Sequence, residues 1–184
     1  SRYYLRKIAG IRSVILLGSC PTHNHDQDIY LADIGASVDA SAEQLSQYAH
    51  MAQAYVQGAQ KNKRCRIGLI SNGTEKIKGN AVVRAADTLL RDDAGLDYAG
   101  YIEGSALFSG DFDIAICDGF IGNAILKSCE GAAKIVTSTV RQALTKNVLG
   151  YMIAPVLRWL LQRFAQRLHP SKRNGALLLG VGGV

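Results

Sequence analysis

The chain has 184 residues, of which 48% are hydrophobic and 20% are charged, and this composition excludes a disordered chain. The length predicts a single domain. The longest apolar run, 148–157, is only about half of the roughly 20 residues that a membrane-spanning helix needs. The segment 1–10 is basic and mixed, so we expect no secretory signal there. The four cysteines form no C-x-x-C pair, which favours reduced thiols in a cytoplasmic protein.

The net charge of +6 is unevenly distributed along the chain. Residues 1–130 carry 13 Lys and Arg against all 15 Asp and Glu, whereas residues 131–184 carry 8 Lys and Arg and no acid. The second part is therefore expected to be drawn to an anionic partner. A lipid surface or an acidic protein fits this charge, and so does a solvated basic face with no partner. The basic stretch lacks the interleaved aromatic residues typical of nucleic-acid binding, so no nucleic acid is expected.

Apolar runs of strand length alternate with helical patterns along the chain. The segment 2–9 is predicted to be the end of a helix, and 20–28 a polar loop. Strands are predicted at 13–17, 29–32, 66–70, 98–102 and 113–117. Helices are predicted after the strands 29–32 and 66–70, and a long one at 123–146.

Helix-start signals and apolar spacing define two of these helices more closely. Ser41 and Gln44 form a capping box, and Asn80 is a cap for the next helix. The first helix is expected to bury Leu45, Tyr48, Ala52, Tyr55 and Val56, and to stop near Gly58. The second is expected to bury Val82, Ala85, Ala86 and Leu89. Strand–helix alternation predicts an α/β domain with a largely parallel sheet.

Ligands bind outside the carboxyl ends of the strands in such sheets, so the loops after strands are the candidate sites. Three of these loops, 33–39, 71–80 and 118–123, combine glycine with polar residues and each precedes a helix. Glycine permits close backbone approach, and the N–H groups of a helix start attract anions. Lys78 and Lys127 add positive charge. The loops together predict a site for a phosphate-sized anion, although each alone is also ordinary turn chemistry.

Other kinds of site are not favoured. The P-loop and the dinucleotide G-x-G-x-x-G do not occur in the sequence, so a nicotinamide cofactor is unsupported. The G-x-S-x-G elbow of a serine nucleophile does not occur either. His23 and His25 lie in one polar loop without a second pair of ligands, and no metal is expected. Cys117 falls in a strand and Cys129 on a helix, neither with a histidine nearby, which argues against a cysteine nucleophile.

The basic tail contains an amphipathic helix that ends near Leu168. One face of this helix is apolar, the opposite face carries arginines, and a tryptophan lies at the boundary. This pattern suits a membrane interface or a partner subunit. An ordinary helix facing the core is the third option. The residues expected at this surface are Leu157, Trp159, Leu160, Leu161 and Phe164.

Three segments, LADIGASVD, SNGTEKIKGN and EGSALFSGDFDIAICDGFIGNAILKSCEG, resemble the PlsX-type phosphate acyltransferases of bacterial phospholipid synthesis. HPSKRNGALLLGVGG in the tail is similar to a further family segment. The family usually has Asn where this chain has Ser37. The resemblance covers little more than half of a typical member, without its amino-terminal phosphate-type loop and its extreme carboxyl terminus, which implies either a fragment or a divergent remnant.

The resemblance implies an enzyme that converts acyl-acyl carrier protein and inorganic phosphate into acyl phosphate and free carrier protein, without a cofactor. It implies a three-layer α/β/α fold with a Rossmann-like sheet, related to isocitrate dehydrogenase and phosphotransacetylase. Residues 1–184 would form one α/β domain, from which a helical hairpin, 124–168, would protrude. Such proteins form homodimers, and they are cytoplasmic and associate peripherally with the membrane.

Catalytic roles are expected for Lys78, Asn80, Asp118 and Asn123. Phosphate or substrate contacts are expected for Asp33, Asn72, Gly73, Gly119, Gly122 and Lys127. Two alternatives stay open: a non-catalytic fragment that keeps the dimer and membrane surfaces, and a phosphotransacetylase-like enzyme that uses acyl-CoA.

Overall fold

The computed structural model describes residues 6–24, 27–59, 64–145, 159 and 176–182. Its elements follow the predicted alternation of strands and helices. In chain order they are β1 Ile15–Pro21, β2 Asp28–Ala32, α1 Ala42–Ala59, β3 Arg66–Ile70, α2 Ala81–Arg91, β4 Asp97–Ile102, a 3-10 helix Gly104–Phe108, β5 Ile114–Ile116, α3 Gly119–Thr145 and β6 Leu177–Leu179.

The six strands form one mixed sheet in the order β4-β3-β5-β2-β1-β6. The four strands from β4 to β2 are parallel, whereas β1 pairs antiparallel with both β2 and β6. The prediction of a largely parallel sheet therefore holds only for the strands from β4 to β2. β1 and β2 form a hairpin because their connection is too short for a parallel crossover. Consequently Cys20, predicted in a loop, is a buried residue of β1.

Helices cover both faces of the sheet, which confirms the predicted three layers. One core packs α1 and α2 on the sheet through residues such as Tyr48, Ala86 and Ile116. The other packs the 3-10 helix and the start of α3 on the opposite face, through Leu107 and Ile121. α2 and α3 therefore lie on opposite faces, although the strands that precede them, β3 and β5, are neighbours.

The predicted core face of α1 is confirmed, whereas that of α2 is wrong by one position. α2 buries Val83, Ala86, Asp87 and Leu90, while Val82, Ala85 and Leu89 are exposed. The misplacement arises from Asp87, whose carboxylate accepts hydrogen bonds from Arg91 Nε (2.9 Å) and Tyr98 Oη (2.6 Å). Because both partners satisfy it, this acid is buried at a position that an apolar count leaves outside.

Other boundaries also differ from the sequence prediction. Residues 6–9 are not helical: Lys7 forms a β-bridge with Val181 in the strand region near the chain's end. α3 begins at Gly119 rather than 123, and β6 was not predicted. Within the described residues, no helix is long and apolar enough to cross a membrane.

The predicted hairpin 124–168 is described only through the end of α3 and at Trp159, a helical residue. Leu157, Leu160, Leu161 and Phe164 lie outside the described residues. The hairpin and its apolar surface therefore stay predictions.

Candidate functional site

A cleft of about 240 Å³ lies at the carboxyl ends of the neighbouring strands β3 and β5. The helices that follow these two strands pack on opposite faces of the sheet, so the cleft opens at a topological switch point. This is the position where open α/β sheets bind ligands. All three predicted loops contribute to its wall. The lining residues are Asp39, Ala40, Leu45, Leu69, Ile70, Asn80, Val82, Val83, Cys117, Asp118 and Ile121.

Three helices begin beside this cleft. α1 follows β2, α2 follows β3 and α3 follows β5, so each points its amino terminus towards the carboxyl edge of the parallel strands. A helix start carries a partial positive charge and N–H groups without intrahelical partners. Among the described residues, the lining includes two acids, Asp39 and Asp118, and no lysine or arginine. Attraction for an anion inside the cleft therefore comes from the helix starts and amide donors.

Asp33 organises the first loop rather than facing a ligand. Its side chain is completely buried. One carboxylate oxygen accepts from the backbone N–H groups of Leu16, Gly35 and Ala36 at 2.9–3.0 Å. The other accepts from the N–H and hydroxyl of Ser37 at 2.7 and 2.9 Å. Five donors satisfy the carboxylate, so we assign Asp33 the role of holding this loop in shape.

Ser37 joins the first loop to the third. Its Oγ donates to Asp33 Oδ2 and accepts from the backbone N–H of Gly119 at 3.2 Å. A Cβ added at Gly119 would lie 2.2 Å from the carbonyl oxygen of Ser37, and one at Gly122 only 1.8 Å from that of Asp33. These two glycines therefore permit α3 to pack on the first loop. The sequence prediction that they also approach a ligand stays a prediction.

Two asparagines shape the second loop through their carbonyl oxygens. Asn72 Oδ1 accepts from the backbone N–H of Gly79 at 2.8 Å. Asn80 Oδ1 accepts from Val83 N–H at 2.9 Å and caps α2, as predicted. Within the described part of the chain, neither NH₂ group has a hydrogen-bond partner, so each is available as a donor. The cap also leaves the first N–H groups of α2, at Ala81 and Val82, without partners in the described chain.

Lys78 and Lys127 lie in different surroundings. Lys78 is half-buried, its aliphatic stem lies against Gly73, and it has no ion pair within the described part of the chain. Lys127 is exposed on α3, and its ammonium pairs with Glu130 at 3.0 Å. Eight residues of helix separate Lys127 from the start of α3, which is about 12 Å. Lys78 thus lies in the second loop with an ammonium that is not ion-paired within the described residues, whereas the structure does not bring Lys127 to the three loops.

The third loop is the start of α3. Asp118 lines the cleft, and its Oδ1 caps the helix by accepting from Ile121 N–H at 2.7 Å. Asn123 is exposed in the second turn, next to Gly35 of the first loop: a Cβ at Gly35, whose φ is +137°, would lie 3.8 Å from Asn123 Cβ. The third loop therefore contributes a capped helix start and one exposed amide.

Cys117 lines the cleft as a neutral thiol. Burial raises the pKa of this thiol, and the carboxylates of Asp118 and Asp33 raise it further. Its Sγ also donates to the carbonyl oxygen of Asp33. A thiol with a raised pKa forms little thiolate, so Cys117 is unsuited to nucleophilic attack. Among the residues that the structure describes, no three His, Cys, Asp or Glu side chains group as metal ligands.

Sequence reasoning missed part of the cleft wall. Val82 and Ile121 line it, although the first was predicted in the core and the second was not singled out. Ser37 was noted only as a departure from the family pattern, whereas it makes the hydrogen bond between two loops. The signal for such lining positions is an apolar residue in the first turn of a helix that follows a strand.

Comparisons with known proteins identify the family and the fold type of the chain. A family model described as "Fatty acid synthesis protein" matches residues 1–184. Proteins named phosphate acyltransferase from Pseudomonas syringae pv. tomato and from Legionella pneumophila strain Corby are 40% and 36% identical over 185 and 184 residues. Each match covers 100% of this chain and 53% of the relative, so the chain spans about half the length of these curated relatives.

Two solved structures share the fold. They are the EutD phosphotransacetylase of Staphylococcus aureus, with a TM-score of 0.56 and 12% identity, and a phosphotransacetylase of Streptococcus pyogenes, with 0.51 and 15%. Each covers 71% of this chain and 45% of the other. The fold is thus of the phosphotransacetylase type, as predicted. Because the family match extends over the whole sequence, the chain belongs to the family of fatty acid synthesis proteins, and the resemblance to phosphate acyltransferases is confirmed.

Proposed function

We propose that this chain carries the phosphate site of an acyl-acyl carrier protein:phosphate acyltransferase. The enzyme would convert an acyl thioester and inorganic phosphate into acyl phosphate and a free thiol. The cleft between β3 and β5 supports this proposal, because helix starts and Asn80 line a space at the switch point of the sheet, and Lys78 lies two residues before Asn80 in the second loop.

The reaction needs positioning more than activation. A phosphate oxygen attacks the carbonyl carbon of the thioester, and a C–O bond forms while the carbonyl oxygen becomes negative. The tetrahedral intermediate then collapses, the C–S bond breaks, and the thiolate leaves. A thiol of pKa about 8.5 departs without a strong acid. The protein's work is to hold phosphate beside the carbonyl and to stabilise the oxyanion.

We assign the phosphate contacts to the second loop. The NH₂ groups of Asn72 and Asn80 are donors, since their carbonyl oxygens are already used within the loop. The N–H groups of Ala81 and Val82 add backbone donors at the start of α2. Lys78 supplies a full positive charge, and Gly73 underlies its stem.

The first and third loops would support the reacting carbonyl. Asn123, exposed beside Gly35, is the candidate donor to its oxygen. Asp33 and Asp118 keep the two loops in place by accepting backbone hydrogen bonds.

The decisive experiment measures acyl-phosphate formation from palmitoyl-acyl carrier protein and phosphate. This chain and the full-length Pseudomonas syringae relative are assayed together, with acetyl-CoA as a second acyl donor. Activity of both with the carrier-protein substrate would support the proposal. Activity of the relative alone would place an essential part of the site outside these residues. Turnover of acetyl-CoA only would favour a phosphotransacetylase.

We further propose that the complete protein is a homodimer at the cytoplasmic membrane surface. The support is the resemblance over 124–168, the half-exposed Trp159 and the absence of acidic residues from 131–184. Flotation with anionic and with neutral vesicles separates the contribution of the basic charge from that of the apolar side chains. Flotation with anionic vesicles alone would identify charge as the main attraction. Failure to float with either, or a monomer in sedimentation, would contradict the corresponding part of the proposal.

A further inference from the structure

Arg84 is an exposed residue at the fourth position of α2, and its guanidinium reaches back into the second loop. Its Nη1 donates a hydrogen bond to the carbonyl oxygen of Gly79. Long side chains on a helix lean towards its amino terminus, so this position allows the reach. Among the described residues, no carboxylate pairs with Arg84. The guanidinium is therefore held by the backbone of the loop.

The stability of α2 does not account for a cation at this position. A helix start carries a partial positive charge, which repels a positively charged side chain. The first turn of α2 contains no acidic residue that would offset this repulsion. The cap of the helix is already supplied by Asn80. The hydrogen bond to Gly79 is thus the contact that gives Arg84 a role.

Two side chains fix consecutive peptide groups just before α2. Asn72 Oδ1 accepts from the N–H of Gly79, which belongs to the peptide that joins Lys78 to Gly79, at 2.8 Å. Arg84 binds the carbonyl oxygen of the next peptide, which joins Gly79 to Asn80. Gly79 has a φ of +85°, and glycine adopts left-handed and right-handed conformations with similar ease. Because the chain itself leaves this peptide free to rotate, the hydrogen bond from Arg84 selects one orientation.

This orientation determines where the backbone N–H of Asn80 points. In a trans peptide the N–H points opposite to the C=O, so the N–H of Asn80 points away from Arg84. Arg84 lies about 200° around the axis of α2 from Val82 and about 100° from Val83. Those two valines and Asn80 line the cleft, whereas Arg84 does not. The N–H of Asn80 has no acceptor within the described residues, and it lies on the cleft side of the peptide.

We infer that Arg84 is a positioning residue of the phosphate site, which holds the Gly79–Asn80 peptide so that the N–H of Asn80 donates to phosphate. This inference rests on the proposed function, because it takes the anion in the cleft to be phosphate. Arg84 acts through the peptide and does not touch the anion. Its effect is that of one hydrogen bond, about fivefold in phosphate affinity.

Calorimetric titration of the 184-residue chain with inorganic phosphate is the first test. Arg84→Met removes the donor and should lower phosphate affinity about fivefold. Arg84→Lys keeps a donor on a slightly shorter side chain and should recover most of this loss. Arg64→Met is the matched control, because it removes the same charge from an exposed residue before β3, at the opposite end of that strand from the cleft.

The salt dependence of the loss separates the peptide from the charge. Salt screens the attraction between an exposed guanidinium and an anion, but it does not change the orientation of a peptide. The ratio of the affinities of the unmodified chain and Arg84→Met should therefore be the same at about 50 mM and about 300 mM sodium chloride.

The amide signal of Asn80 tests the orientation directly. In nitrogen–proton NMR spectra of the unmodified chain, phosphate should move the Asn80 amide proton downfield along the same saturation curve as the calorimetry. The shift at saturation should be smaller in Arg84→Met. A merely structural role of Arg84 would lower the midpoint of urea denaturation and leave the saturated shift intact, so the midpoint is measured for each variant.

The outcomes separate the two claims. No binding of inorganic phosphate by the unmodified chain would overturn both. Phosphate binding without a shift of the Asn80 amide would overturn the inference and leave the proposed function intact. Equal affinities of Arg84→Met and Arg64→Met would have the same consequence. A loss in Arg84→Met that disappears at the higher salt concentration would also overturn the inference, because Arg84 would then act through its charge.

Discussion

The hydroxyl of Ser37 accepts a hydrogen bond of 3.2 Å from the backbone N–H of Gly119, and so connects two loops that are 82 residues apart in the chain. The same hydroxyl donates to the buried carboxylate of Asp33. One side chain thereby fixes the first loop against the start of α3. The shape of the cleft depends on this connection, because both segments contribute to its wall.

We predict that Ser37→Ala lowers the free energy of unfolding by about 1–3 kcal/mol, because the mutation leaves a buried carboxylate and a helix N–H each short of a partner. Urea denaturation followed by circular dichroism measures the loss. Ser37→Thr keeps the hydroxyl and should recover most of it. Ser138→Ala is the control, since Ser138 is an exposed residue of α3 that bonds only to its own helix. Equal stability of the Ser37→Ala and Ser138→Ala variants would contradict the assigned link.

Asn80 has two separable roles. Asn80→Ala removes the cap of α2 and should cost about 0.5–2 kcal/mol of stability. Asn80→Asp keeps an oxygen for Val83 N–H and should be nearly as stable as the unmodified chain. Both variants lose the NH₂ donor, and both should bind phosphate less tightly in calorimetric titration. Unchanged phosphate affinity of Asn80→Asp would exclude the amide from the site.

The charge of Lys78 should matter for anion binding, whereas that of Lys127 should not. A hydrogen bond to a charged group contributes about 1.5–3 kcal/mol, so Lys78→Ala should weaken phosphate binding about tenfold to a hundredfold. Lys78→Arg should recover part of this loss. Lys127→Ala is the matched control, because its ammonium is paired with Glu130 away from the loops. Equal effects of the two alanine variants would remove Lys78 from the proposed site.

Two glycines of α3 should respond in opposite directions to alanine. A Cβ at Gly122 would lie 1.8 Å from the carbonyl oxygen of Asp33, and we expect Gly122→Ala to destabilise the protein by about 2–3 kcal/mol. Among the residues that the structure describes, nothing lies within 4 Å of a Cβ built at Gly131. Gly131→Ala should therefore stabilise the helix by about 0.5–1 kcal/mol. Thermal unfolding of both variants tests the contrast, and stabilisation by both would disprove the close packing on the first loop.

Features determined by neighbouring residues could be predicted from the sequence, whereas features determined by distant contacts could not. The cap at Asn80 is local, because its partner lies three residues away. The predicted buried face of α2 was wrong because Asp87 is buried through its hydrogen bond with Tyr98, which belongs to another element. The bond between Ser37 and Gly119 joins distant loops and has no local signal. In the same way, the three glycine-containing loops could be recognised from the sequence, but the packing role of Gly119 and Gly122 could not.

The buried thiol of Cys20 should make stability depend on alkaline pH. Burial, followed by the charges of Cys129 and Asp28, raises the pKa of Cys20 to about 12. An unfolded cysteine has a pKa of about 8.5. Below that pH the thiol is neutral in both states, so it contributes no pH dependence. Above it only the unfolded state loses the proton, which favours unfolding, and stability falls as pH rises towards 12.

The expected slope for Cys20 is up to about 1.4 kcal/mol per pH unit between pH 9 and 11. Urea denaturation at pH 7, 8, 9 and 10 measures it. Cys20→Ala should unfold more easily at pH 7, because it leaves a small cavity, yet lose less stability between pH 8 and 10 than the unmodified chain. The pKa of Cys117 is also raised, so its titration leaves the variant with some slope. Parallel pH profiles for the two proteins would show that Cys20 ionises alike in the folded and unfolded states, and would disprove the assigned burial of its thiol.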